Sequence, residues 1–217
     1  MLFEIHLINT MSEIASHPPE KLHVPKSRLR AQGFPSLYRK TLFSAFSLLL
    51  VAYLVFAHSP WHFHPGVVSA FQISGMLLLF AGIVGRSFAT LSIGGHKDRR
   101  IVTTELYSVC RNPLYFSSFL MALGVGLMSA RIDFLLLVSA GFLAIFYPMM
   151  RNEARYLRER FEDYADYEKN VPLFFPDLRL WKERALFEIN FRLLKRTLLD
   201  SLVVLIVIPV MLFLGTR

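Results

Sequence analysis

Apolar residues run almost unbroken by charge through five stretches of the chain, residues 41–57, 66–85, 112–130, 132–150 and 197–216. Each approaches the roughly 20 residues with which a helix crosses about 30 Å of hydrocarbon, where backbone donors and acceptors must be satisfied within the segment. The pattern therefore predicts an all-α, polytopic membrane protein with about five transmembrane helices. Only Arg131 separates the third run from the fourth, which predicts a tight antiparallel helix hairpin. Beyond the fourth run Leu157, Phe161 and Tyr164 recur at helical spacing with charges between them, so an amphipathic helix should continue out of that span. Val171-Pro172-Leu173-Phe174-Phe175-Pro176 then ends it in an aromatic loop returning toward the membrane.

Composition agrees with lipid as the solvent: of 217 residues 54% are hydrophobic and 18% charged, where a soluble domain carries about a quarter charged residues. Six basic residues precede the first run, five lie between the second and third, and eleven between the fourth and fifth, against only Arg131 and Arg217 on the other side. That asymmetry predicts a cytoplasmic amino terminus, with the 86–111 and 151–196 segments also cytoplasmic. It also accounts for the formal charge of +8 through topology and anionic membrane lipids, without nucleic acid. Residues 1–40, with Pro18, Pro19, Pro25 and Pro35, read as a poorly ordered basic lead, and 41–217 as a single membrane-embedded domain. A single cysteine, Cys110, excludes a disulfide framework and a cysteine-rich zinc site.

A passive scaffold needs only short polar links, so chemistry is expected on the two long cytoplasmic segments. Arg111-Asn112-Pro113 reads as a helix start, with Asn112 as N-cap and Pro113 at the first helical position. Arg111 would then stand at the positive end of a helix dipole, either as an anion site or simply in keeping with the inside bias of basic residues. Tyr115 reads as interfacial belt or as a polar handle in a cavity. Glu153, near the bilayer boundary, needs a partner or a ligand, and a salt bridge to Arg111 or Arg155 would serve. Arg86 could hold an acidic head group or snorkel. Ala81 with Gly85, and Ala122 with Gly126, are spaced for close helix packing. His58, His62 and His64 lie together in an outer loop but lack acidic partners, and we assign no metal there.

Taken in order, Tyr107, Arg111, Pro113 and Tyr115, followed by Glu153, Leu157, Phe161, Tyr164, Tyr167, Val171, Pro172 and Pro176, resemble the motif blocks of the isoprenylcysteine carboxyl methyltransferase and phospholipid methyltransferase families. The resemblance covers roughly residues 86–181. It implies S-adenosyl-L-methionine held on the cytoplasmic side by Tyr107, Arg111, Asn112, Pro113, Tyr115, Glu153, Tyr164 and Pro172, with Arg111 and Glu153 nearest the chemistry. It implies a lipid or prenyl-like acceptor entering from the bilayer, with a carboxylate, phosphate or amine head group and Arg86 as a possible contact to it. Asn112, Ala154, Glu162 and Glu105 depart from the family's histidine, second glutamate, glycine and first glycine. Two other readings stay open: an NADPH-dependent reductase resembling the sterol reductases, and a non-catalytic relative acting in membrane assembly. The oligomeric state is not legible.

Overall fold

A computed structural model describes residues 36–57, 63–93 and 101–183, together with isolated helical positions at 195, 198, 199, 205, 208 and 209. Most of the expected basic lead and of the fifth apolar run lies outside the described residues. Those described form six α-helices, one short 3-10 turn and no strand. In chain order these are α1 (Ser36–Phe56), α2 (Pro65–Ile93), α3 (Leu106–Val109), α4 (Pro113–Met128), α5 (Ile132–Arg160) and α6 (Tyr164–Asn170), with the 3-10 turn at Leu178–Leu180. Two helices, α2 and α5, each of 29 residues, are long and apolar enough to cross a membrane.

The start of α2 gives His64 a structural job. Its carbonyl accepts from Val67 N–H at 2.8 Å and its ring Nδ1 accepts from Gly66 N–H at 3.2 Å, so it caps two of the helix's orphan donors. His58 and His62 lie outside the described residues.

The central contact is α2 against α4, and glycine makes it. A Cβ on Gly75 would stand 2.5 Å from the Gly124 carbonyl oxygen, and one on Gly124 would stand 2.6 Å from the Gly75 oxygen. One helical repeat further on, a Cβ on Gly82 would meet the Ser117 carbonyl at 2.6 Å. The two backbones therefore touch directly, with Leu79 fully buried between the glycines. Close approach through small residues is the expected device where lipid gives no hydrophobic drive to helix association. Gly75, Gly82 and Gly124 provide it, joined by the expected Gly85, where a Cβ would stand 2.8 Å from Ser117 Oγ; of the other expected residues, Ala81 is exposed and Gly126 makes its close contact with Leu135 of α5.

The expected hairpin joins α4 to α5. Ser129 Oγ donates to the Gly126 carbonyl at 2.6 Å, and Ala130 closes the turn with φ 51°, a left-handed value. Arg131 ties this turn to the end of α1, donating to the Ala57 carbonyl at 2.7 Å and to Asp133 at 2.9 Å, while Tyr53 donates to the same carboxylate at 2.6 Å. The pairing explains how an acidic residue is tolerated at the start of an apolar run.

From there α5 runs unbroken through the apolar stretch into its charged end, carrying Pro148 within it. Proline lacks the N–H that would pair with the Ala144 carbonyl, so one helical bond is missing at that point. The amphipathic helix ends sooner than its periodicity predicts. Phe161 is extended, with Arg160 stacked over its ring at 5.7 Å, and Tyr164 opens a separate helix, α6. Beneath the polar end of these helices, Phe119, Phe142, Met150 and Phe174 form an aromatic floor, with Phe142 and Phe146 stacked at 4.3 Å.

Candidate functional site

The two motif blocks, some sixty residues apart in the chain, are zipped together. Residues 172–182 run antiparallel to 105–112 as a strap, held by Arg111 N–H to the Pro172 carbonyl at 2.9 Å, Asp177 N–H to the Val109 carbonyl at 2.9 Å and Glu105 N–H to the Lys182 carbonyl at 2.7 Å. Side chains add Asn112 Nδ2 to the Leu173 carbonyl and Lys182 N–H to Ser108 Oγ, both at 3.0 Å. Asn112 is therefore not the side-chain N-cap that its position before Pro113 predicts: it makes no capping bond and binds the strap instead. Pro113 does occupy the first turn of α4 and is buried. The Cys110 thiol donates to the Phe174 carbonyl at 3.0 Å, and burial pushes it up to about 11, which keeps it from serving as a nucleophile at neutral pH.

Under the strap lies a polar cluster. Tyr107 is 8% exposed, and its hydroxyl is buried with no hydrogen-bond partner among the described residues. Burial, the neighbouring Tyr167 phenol and the Glu153 carboxylate hold Tyr107 well above its ordinary value. Tyr164, 2% exposed, is raised by burial too, against the pull of Arg111 and with a smaller push from Glu153. Glu153 thus acts electrostatically on both phenols. Tyr167 donates to the Tyr107 carbonyl at 2.6 Å and fixes the short helix that carries Tyr107.

Arg111 belongs to the same cluster. Its NH1 donates to Glu168 Oε1 at 2.6 Å, its guanidinium lies beside Tyr164, and its Nε is buried without a partner among the described residues. Glu168 forms an ion pair with Arg111 and also binds Arg158. Burial disfavours the Arg111 charge, but Glu168 and Tyr164 more than offset it. Glu168 in turn is held below the usual carboxylate range by Arg158 and Arg111 despite its own burial.

Tyr115 packs on Phe146 at 5.5 Å in the aromatic floor. Arg86 donates to Ser118 Oγ at 2.6 Å across the α2–α4 contact. Pro172 borders a second feature, an open apolar cleft of about 650 Å³ between the strap and α5, lined by Leu143, Ala144, Tyr147, Pro148 and residues 172–175. The strap thus has the polar cluster on one side and the apolar cleft on the other. Among the described residues no three His, Cys, Asp or Glu side chains converge as metal ligands would.

Sequence reasoning missed Glu168 and the backbone pairing of the strap. Neither has a local signal, because each depends on which loops the fold brings together. Glu105 is different. It adopts φ 57°, ψ −134°, a region essentially reserved for glycine, at the position where the resembled motif has glycine.

Among the described residues, an all-helical fold with two apolar helices of membrane-crossing length points to a membrane protein. The chain belongs to the phospholipid methyltransferase family, part of the isoprenylcysteine carboxyl methyltransferase-like membrane group: the family profile matches residues 63–164. It is similar to the nickel-cobalt-cadmium resistance protein NccN of Alcaligenes xylosoxydans xylosoxydans, 32% identical over 155 residues, covering 71% of this chain and 72% of that one. It is equally similar to the cobalt-zinc-cadmium resistance protein CzcN of Cupriavidus metallidurans, 32% identical over 152 residues and 70% of each chain. No solved structure matches. Methyltransferases of the family generally use S-adenosyl-L-methionine.

Proposed function

We propose that the protein is an integral, multi-pass membrane methyltransferase that uses S-adenosyl-L-methionine to methylate a lipid or lipid-like acceptor at the cytoplasmic face. The observation that carries this reading is the Tyr107 hydroxyl, buried and without a hydrogen-bond partner among the described residues, within the electrostatic reach of Tyr167 and Glu153. A buried hydroxyl without a partner costs about 1–3 kcal/mol. A ligand that accepts its hydrogen bond recovers that loss.

The residues present fit the cofactor. Arg111, through its unpartnered Nε, suits a carboxylate; Glu153 suits an ammonium or the sulfonium's charge; Tyr107 and Tyr164 suit hydroxyls. The cofactor supplies an electrophilic methyl group on sulfur. The protein's part is to bind, orient and exclude water. Arg111 and Glu153 fix opposite charges of the ligand, the aromatic floor and strap keep the site dry, and an ionised acceptor oxygen needs no strong base. The phenols are held protonated, so they act as donors rather than bases. The apolar cleft beyond Pro172 offers a lipid chain a place beside the polar cluster.

Methylating a carboxylate or phosphate removes negative charge from a head group and with it some attraction for divalent cations, which would connect the chemistry to the metal resistance in the relatives' names. The test is transfer of isotopically labelled methyl from S-adenosyl-L-methionine into the lipids of proteoliposomes containing bacterial membrane extract. Labelled lipid that disappears in Glu153→Ala supports the proposal. No label in any lipid, with binding of NADPH instead, would favour the reductase reading.

A further inference from the structure

Glu168 is the charged residue of the polar cluster for which the family motif gives no role. It stands in α6, yet its two carboxylate oxygens reach two other elements. Oε1 accepts from Arg111 NH1 at 2.6 Å, just ahead of α4, and Oε2 accepts from Arg158 Nε at 2.9 Å, near the end of α5. The Arg111 side chain is 11% exposed, Glu168 21% and Arg158 60%, so the chain of charges runs from solvent into the site. NH1 is taken by Glu168 and the Tyr164 phenol lies beside the guanidinium, while Nε is buried without a partner among the described residues.

We propose that Glu168 is a positioning residue: it holds Arg111 by one end so that the remaining guanidinium edge is fixed for an anionic group of the ligand, and Arg158 anchors Glu168 from the exposed side. The inference rests on the cofactor reading above, because it takes the anionic group to be the carboxylate of S-adenosyl-L-methionine or its product. Two alternatives make different predictions. If Glu168 serves only to dock α6 onto α5, its loss weakens the fold regardless of what stands at 111. If it merely neutralises Arg111, its loss tightens anion binding.

The experiment is a double-mutant cycle read by calorimetric titration of the detergent-purified full chain with S-adenosylhomocysteine, with thermal midpoints measured alongside. Glu168→Ala should weaken binding by about tenfold in the native background and by less than about twofold when Arg111→Ala is already present, since coupled neighbours are non-additive. Glu168→Gln keeps an oxygen to accept from NH1 and should retain most of the affinity. Equal weakening by Glu168→Ala in both backgrounds would overturn the proposal in favour of simple docking. Unchanged or tighter binding in Glu168→Ala would overturn it as well. If the unsubstituted protein fails to bind S-adenosylhomocysteine, the cofactor reading itself falls and takes this proposal with it; if it binds and only the cycle fails, the reading stands and the role of Glu168 does not.

Discussion

Replacing Glu105 by glycine should stabilise the protein, although it removes a nearly buried side chain. Among the described residues, every hydrogen bond of Glu105 is made by its backbone: its N–H to the Lys182 carbonyl at 2.7 Å, and its carbonyl from Ser108 N–H at 2.9 Å and Ser108 Oγ at 2.7 Å. None depends on the side chain. The backbone sits at φ 57°, ψ −134°, and an L-residue held in such a region costs about 1–3 kcal/mol. Glycine removes that strain but brings a more flexible unfolded chain, worth about 0.4–1 kcal/mol in the opposite direction. The difference is a gain of about 1 kcal/mol, or a rise of about 2–4 °C in thermal midpoint for a chain of this length. Glu105→Ala is the control, since it removes the carboxylate and keeps the Cβ that causes the strain. Thermal unfolding in one detergent, followed by far-ultraviolet circular dichroism, should rank Gly above both Glu and Ala. A glycine variant no more stable than the alanine variant would refute the argument from backbone strain.

Other substitutions test other parts of the account. Gly75→Ala places a methyl 2.5 Å from a backbone oxygen that cannot turn aside, so it should lower stability by about 1–3 kcal/mol, whereas Gly66→Ala, whose Cβ meets only the His64 ring at 3.5 Å, should not. Comparison of the two thermal midpoints decides it. Tyr107→Phe removes an unpartnered buried hydroxyl, so the ligand-free protein should be as stable as before or more so, while S-adenosylhomocysteine binding weakens; loss of both together would mean the hydroxyl has a partner within the fold. The folded Tyr107 holds its proton above the ordinary value of 10.0, so its contribution to stability is complete below that pH and is lost as pH rises further. Alkaline unfolding should therefore be shallower in Tyr107→Phe. For Glu168, held below its ordinary 4.5, the sign reverses: its contribution is present above that pH and is lost as pH falls through the lower folded value. Acid unfolding of Glu168→Gln should show a weaker dependence on pH.

The apolar runs show in advance what the structure shows of α1, α2, α4 and the hairpin into α5, because hydrocarbon leaves a long uncharged segment no economical form but helix. The aromatic loop after Val171 was equally legible, since its prolines cannot continue a helix. Spacing of small residues was a poorer guide. It found Gly85, which faces Ser117 of α4, and Gly126, which packs on Leu135 of α5, but it also pointed to the exposed Ala81 and passed over Gly75, Gly82 and Gly124, because which face of an apolar helix turns inward is decided by its neighbours and leaves no polar mark on the sequence. Asn112 was misread for a related reason: capping is a local preference, and the Leu173 carbonyl that wins its amide is sixty-one residues away. The Arg111–Glu168 pair was invisible for the same cause, and Glu105 was visible only as an odd residue in a glycine position until its backbone angles gave that oddity a physical meaning.

The central claim is that Tyr107, Arg111, Glu153 and Tyr164 form one cofactor site under the strap. Its most direct test is calorimetric titration of the detergent-purified protein with S-adenosylhomocysteine, repeated on Tyr107→Phe and Glu153→Ala. Saturable binding with one ligand per chain, weakened in both variants while their thermal midpoints hold, is the predicted result. Absence of binding, or binding that both variants leave unchanged, would contradict the site as drawn.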